Sequence, residues 1–159
     1  MTDPRAPRVV ARHKRAAHDY ELGDTYEAGI VLTGTEVKSL REGRASLADG
    51  WVGLEGGEAW LHGVHIPEYA QGTWTNHSAR RPRKLLLRAA QLERIGHRLH
   101  EGGWTMVPLS LYFSGPWAKV EVAVARGKRV HDKRQALRER QDARDADRVI
   151  ASHRRRHAR

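Results

Sequence analysis

Trp104–Ala125, WTMVPLSLYFSGPWAKVEVAVA, is the stretch whose reading decides the fold. Val120, Val122 and Val124 alternate with Lys119, Glu121 and Ala123, so the valines share one face of a strand and Lys119 lies on the other. Trp104–Phe113 reads as a second strand, and Ser114, Gly115 and Pro116 make the turn between the two.

Moving toward the N-terminus, Leu85–Leu87 finish another strand. After it Leu92, Ile95 and Leu99 recur at helical spacing until Gly102 and Gly103 stop the helix. Glu68–Pro82 has little periodicity and reads as a surface loop ending in the basic cluster Arg80, Arg81, Arg83 and Lys84. Between Ser46 and Ile66 two strand-like runs flank Glu55, Gly56, Gly57 and Glu58, where the glycine pair supplies the positive φ angles of a tight hairpin. Thr25–Leu32 is a further strand, broken at Gly34. Thr35 is placed to cap a short helix over Glu36–Glu42, with Val37 and Leu40 facing inward and Gly43 ending it.

This is a mainly β pattern. Short antiparallel strands interrupted by two or three short helices predict a small closed or partly open barrel, because closure removes exposed strand edges; an OB-like barrel fits best. The expected organisation is a flexible basic arm over 1–18, the barrel over 19–125, and a disordered basic C-terminal tail over 126–159. A chain ending at Ala125 is therefore expected to fold.

The net charge is +10, and it is unevenly placed: 13 Lys+Arg against 5 Asp+Glu over residues 126–159, and 16 against 14 before them. A basic excess of this size calls for a polyanionic partner, either nucleic acid or an anionic membrane surface. A membrane would require a span of roughly 20 apolar residues or a basic helix with a large apolar face, and the sequence has neither. Residues 1–15 lack the apolar core of a secretory signal, so a cytoplasmic protein is expected. With no cysteine in the chain, disulfides, thiolate nucleophiles and Cys-based metal sites are excluded.

In the tail, Phe, Trp and Tyr vanish, so no core forms there. Asp132 and Gln135 make a capping box that starts a helix at Lys133, with Arg140, Arg144 and Arg148 on one face. Lacking an apolar stripe, that helix needs a partner to hold it.

No catalytic motif emerges. His97 and His100 lack the nearby Glu of an HExxH zinc site, His62 and His65 alternate to opposite strand faces, and no GxSxG, Walker loop or GxGxxG occurs. No enzyme activity, metal or cofactor is expected. Of the five tryptophans, Trp51, Trp60 and Trp104 fall within strands and read as core, while Trp74 and Trp117, in or beside loops, are candidates for base stacking. Arg80–Lys84 combined with Lys38, Arg41 and Lys119 across a barrel would form a phosphate-binding patch.

Five motifs in order carry a family resemblance: YEAG at 26–29, GTEVKSLR at 34–41, RPRKLLL at 81–87, PLSLYF at 108–113 and GKRVHDKR at 127–134. Over roughly residues 12–157 the chain resembles the SsrA-binding protein family, small protein B. Ser78 and Ala79, where members often carry Asp and Pro, and Arg88, where some carry Asn, are departures. The resemblance implies an OB-like barrel that binds the tRNA-like domain of transfer-messenger RNA and serves ribosome rescue by trans-translation. It implies an RNA face with His18, Glu27, Lys38, Arg41, Lys84, Leu86 and Lys119. It further implies a ribosome-sensing tail with Lys128, His131, Asp132, Lys133 and Arg134, to which Arg140 and Arg144 of the basic stripe belong. The implied partners are transfer-messenger RNA and the ribosome's decoding region and messenger channel, with one copy per RNA. A general ribosome-associated RNA-binding protein or RNA chaperone is the alternative for such a charge; it would bind structured RNAs indiscriminately.

Overall fold

In a computed structural model of the chain, the structure describes residues 8–72, 74, 76–128, 141 and 144. They fall into two units, 1–127 and 128–159. In the second, Gln141 and Arg144 have α-helical backbone.

The first unit is one seven-stranded sheet: β1 Arg8–Arg12, β2 Tyr20–Ile30, β3 Trp51–Glu55, β4 Glu58–His62, β5 Arg83–Leu86, β6 Thr105–Ser114 and β7 Trp117–Gly127. Three helices accompany it: α1 Ala16–Asp19, α2 Gly34–Arg41 and α3 Ala89–His100. The strand order is β1-β6-β7-β2-β5-β4-β3, every pairing antiparallel. The sheet curls so that β3 packs on β6, but no ladder joins its two end strands, giving a partly open barrel.

The deciding stretch forms the β6–β7 hairpin. Val120, Val122 and Val124 are buried as their alternation requires, and Val120 and Val122 join Leu40, Leu61, Ile66 and Ile95 in the core. The β3–β4 hairpin turns on Gly56 and Gly57, both at positive φ. Arg126 and Gly127, opposite Glu21 and Tyr20, continue β7 two residues past Ala125.

Three expectations are corrected. Residues 8–18 are not a flexible arm: β1 pairs with β6, His13 N–H donates to Leu109 O at 2.8 Å, and α1 buries Ala16. Val9, Val10 and Ala11 are too short a run to show periodicity, and they are ordered by a strand about a hundred residues away, which local reading does not see. The cap of α2 is Thr33, not Thr35. Thr33 Oγ1 accepts from Glu36 N–H at 3.4 Å while Thr33 N–H donates to Glu36 Oε1 at 2.9 Å, a complete capping box. Trp51 is not core: it is 47% exposed, on the outward side of β3, while Trp60 and Trp104 are half-buried.

Candidate nucleic-acid interface

The outward side of the sheet places the sequence-nominated residues in rows. Lys119 on β7 lies opposite Tyr112 on β6 and opposite Gly29 on β2, and Gly29 in turn lies opposite Leu86 on β5. Tyr112, Lys119, Gly29 and Leu86 therefore cross four strands in one line. Gly29 is the low point of this row. A Cβ there would sit 3.3 Å from Leu86 Cβ, so the glycine leaves a shallow floor between a cation and a large apolar side chain that is 55% exposed.

Glu27, one step along β2 on the same side, faces Glu121 and accepts a hydrogen bond from the Tyr112 hydroxyl. Burial, followed by the bond to Glu27, pushes the Tyr112 phenol above its ordinary range. Lys84, two residues from Leu86 on the same face, has its Nζ 2.9 Å from Glu58 Oε1.

Lys38 and Arg41 stand three apart on exposed positions of α2, the helix that follows the end of β2. Lys38 Nζ lies 5.6 Å from the Tyr69 ring centre, and Arg41 Cζ lies 5.5 Å from that of Phe113. Phe113 faces Ala118, next to Lys119, so Arg41 sits near the tip of the β6–β7 hairpin, where Trp117 is 69% exposed. Arg41 thus places the end of α2 at the tip of the hairpin whose two strands carry Tyr112 and Lys119.

What fixes α2 is a buried polar network that the sequence reading missed. Glu36 is fully buried and accepts from both Arg81 and Arg83, and Arg83 is itself fully buried. Arg83 also donates to Val64 O at 2.8 Å and Ala79 O at 3.0 Å. Burial raises the Glu36 pKa, but hydrogen bonds from Arg81, the Thr33 backbone and Arg83 outweigh it, so the carboxyl lies below its ordinary value. Thr35 Oγ1 meets His77 Nδ1 at 2.9 Å, the other His77 nitrogen meets Ile66 O at 2.9 Å, and Ser39 donates to Pro67 O at 2.7 Å.

This corrects the expected phosphate patch at two of its positions, Arg81 and Arg83. Arg81 and Arg83 serve Glu36, Arg80 lies 3.6 Å from Asp49, and Lys84 meets Glu58. A run of charges reads as a solvated face only until one of its members proves to be buried with a partner. The signal was present in Thr33 and Glu36, three apart before an apolar helix face.

The structure does not bring His18 to this neighbourhood. It lies on α1, beyond the other end of β2, and Tyr20 and Gly29 are separated by about 30 Å at strand rise. Of the tail candidates, Lys128 and Arg144 are described, as half-buried and exposed. His131, Asp132, Lys133, Arg134 and Arg140 lie outside the described residues, as does the proposed cap. Among the described residues no three His, Asp or Glu side chains are grouped to hold a metal, and no helix is long and apolar enough to cross a membrane.

A curled antiparallel sheet that carries a row of cationic, apolar and aromatic side chains on its outward side defines a small, partly open β-barrel protein. A family model described as SmpB protein matches residues 10–152. The chain is 60% identical to the SsrA-binding protein of Streptomyces coelicolor and 62% identical to that of Leifsonia xyli, covering 96% of this chain and 96% of each relative. A solved structure described as "tmRNA-SmpB: a journey to the center of the bacterial ribosome" superposes with a TM-score of 0.65 at 43% identity, over 80% of this chain and 94% of that one. The chain belongs to the SmpB protein family.

Proposed function

We propose that this protein binds the tRNA-like domain of transfer-messenger RNA and carries it to stalled bacterial ribosomes for trans-translation, as a cofactor-free adaptor and not an enzyme. The observation that carries this reading is the row Tyr112, Lys119, Gly29 and Leu86, with Arg41 of α2 at the tip of the hairpin that bears part of it. Lys38, Arg41 and Lys119 contact phosphates, and Leu86 packs on ribose or base. Glu27, held by Tyr112, accepts from a base amino group or a 2′-hydroxyl. Lys84 joins them by exchanging Glu58 for phosphate, and His18 contacts a separate part of the RNA. The tail, with Lys128, His131, Asp132, Lys133, Arg134, Arg140 and Arg144, forms a helix in the empty messenger channel. One copy acts per RNA, in the cytoplasm.

A competition assay of transfer-messenger RNA against bulk tRNA tests the reading. Strong preference for the former is expected, and equal affinity would leave only a general RNA-binding protein. Lys119→Ala should weaken binding without unfolding the domain, and lower the slope of log affinity against log salt by about one, as expected for one lost phosphate contact. An unchanged slope would remove Lys119 from the interface.

A further inference from the structure

The outward side of the β3–β4 hairpin differs in chemistry from the cationic row. Its residues are Trp51, Gly53 and Glu55, which face His62, Trp60 and Glu58. The Trp51 ring stacks on His62, with centroids 4.3 Å and planes 18° apart. Both rings lean over Gly53, where a Cβ would come within 2.9 Å of Trp51 Cζ3 and 3.7 Å of His62 Nε2. His62 covers one face of the indole, and the 47% exposure of Trp51 on β3, the last strand of the sheet, leaves the opposite face open.

Glu55 and Glu58 stand directly opposite each other, a like-charge pairing that costs stability. Lys84 neutralises Glu58. Among the described residues the ion-pair partner of Glu55 is His62, whose Nε2 lies 3.5 Å away and is charged only when protonated. That nitrogen is closed off from solvent and has no hydrogen-bond partner. An aromatic face open on one side therefore lies beside a carboxylate without a permanent counter-charge. RNA phosphates would be repelled here. A flat cation would be attracted, and guanidinium combines flatness with charge, whereas an ammonium ion cannot stack.

We propose that this face of the β3–β4 hairpin is a docking site for an arginine of a protein partner, whose guanidinium stacks on the open face of Trp51 and pairs with Glu55. On the sheet the site lies beyond Lys84 as seen from the row, Trp60 being the register partner of Lys84.

The test uses the full chain and the peptide Gly-Arg-Gly-Arg-Gly, blocked at both ends, with its lysine counterpart and an octauridylate as comparators. The indole N–H signal of Trp51, assigned by its loss in Trp51→Phe, is followed by NMR. The arginine peptide should shift that signal and the His62 ring signals saturably, and bind about threefold or more tighter than the lysine peptide, the difference stacking supplies. Glu55→Gln, which keeps the shape, should weaken the arginine peptide by about twofold to fivefold. Trp51→Ala should abolish the shift at His62, and both variants should bind transfer-messenger RNA as the parent does. Equal binding of the two peptides, indifference to Glu55→Gln, or a stronger response to octauridylate would overturn the proposal. Loss of RNA binding in a folded Trp51→Ala would instead assign the face to the RNA interface.

Discussion

Glu36 shows how one residue sets the geometry of a surface from beneath it. Its carboxylate caps α2 and neutralises two arginines, and the same helix presents Lys38 and Arg41 to solvent. Replacing it with glutamine would leave two guanidinium groups without their counter-charge, one of them fully buried, a change that costs about 3–5 kcal/mol where a buried pair is broken. Because its folded pKa is depressed, the stability Glu36 contributes is present above the carboxyl's unfolded value and is lost as pH falls through the folded one. Urea denaturation between pH 7 and about 3 should show the parent losing its advantage over Glu36→Gln in the acid range, below about pH 4.5. A constant difference across that range would mean Glu36 is not the titrating group. At this scale the sequence was legible where alternation decided, as for Lys119 opposite the core valines. It misled where charge decided, because nothing local separates Arg83, buried, from Arg80, exposed three residues before it.

At the scale of elements, both hairpins, α3 and the long loop before β5 follow from glycine positions and periodicity. The two misreadings have different causes. β1 exists only as a long-range pairing, and its register shifts between Val9 and Ala11, so its own five residues do not announce it. The cap of α2 was misplaced because Thr33 and Thr35 are both plausible caps by type, and only the position of Glu36 three residues on discriminates. The two threonines have separate tasks, since one satisfies the helix amides and the other a buried histidine nitrogen. Thr33→Val should therefore cost about 1 kcal/mol while Thr33→Ser stays within a few tenths, as for caps generally. Chemical denaturation of the three proteins side by side checks this, and a Thr33→Val protein as stable as the parent would show that Glu36 alone holds the helix start.

At the scale of the molecule, charge and core belong to different parts of the chain. The sheet unit buries its own apolar cluster, whereas residues 126–159 contain no aromatic residue and carry most of the net charge. The sequence placed the break at Ala125, but Tyr20 pairs with Gly127 and Glu21 with Arg126, whose guanidinium also meets the Glu21 carboxylate and lies 5.3 Å from the Trp104 ring centre. A cut at Ala125 removes the end of β7 and leaves the start of β2 unpaired, so the natural cut follows Gly127. We expect a chain ending at Gly127 to fold with the parent's stability and to bind the tRNA-like domain at near-parental affinity, since the row from Tyr112 to Leu86 and the α2 cations are intact. The same protein should fail to support peptide tagging on stalled ribosomes, because on the reading proposed above the cationic tail engages the messenger channel and the sheet unit has no substitute for it. Replacing Asp132, Lys133 and Arg134 together with alanine should reproduce much of that defect through loss of the proposed helix cap and of two charges for phosphate. RNA binding and tagging are measured on both variants in parallel. Normal tagging by the truncated chain would sink the role given to the tail. Loss of free RNA binding would show instead that the tail supplies part of the interface assigned to the sheet.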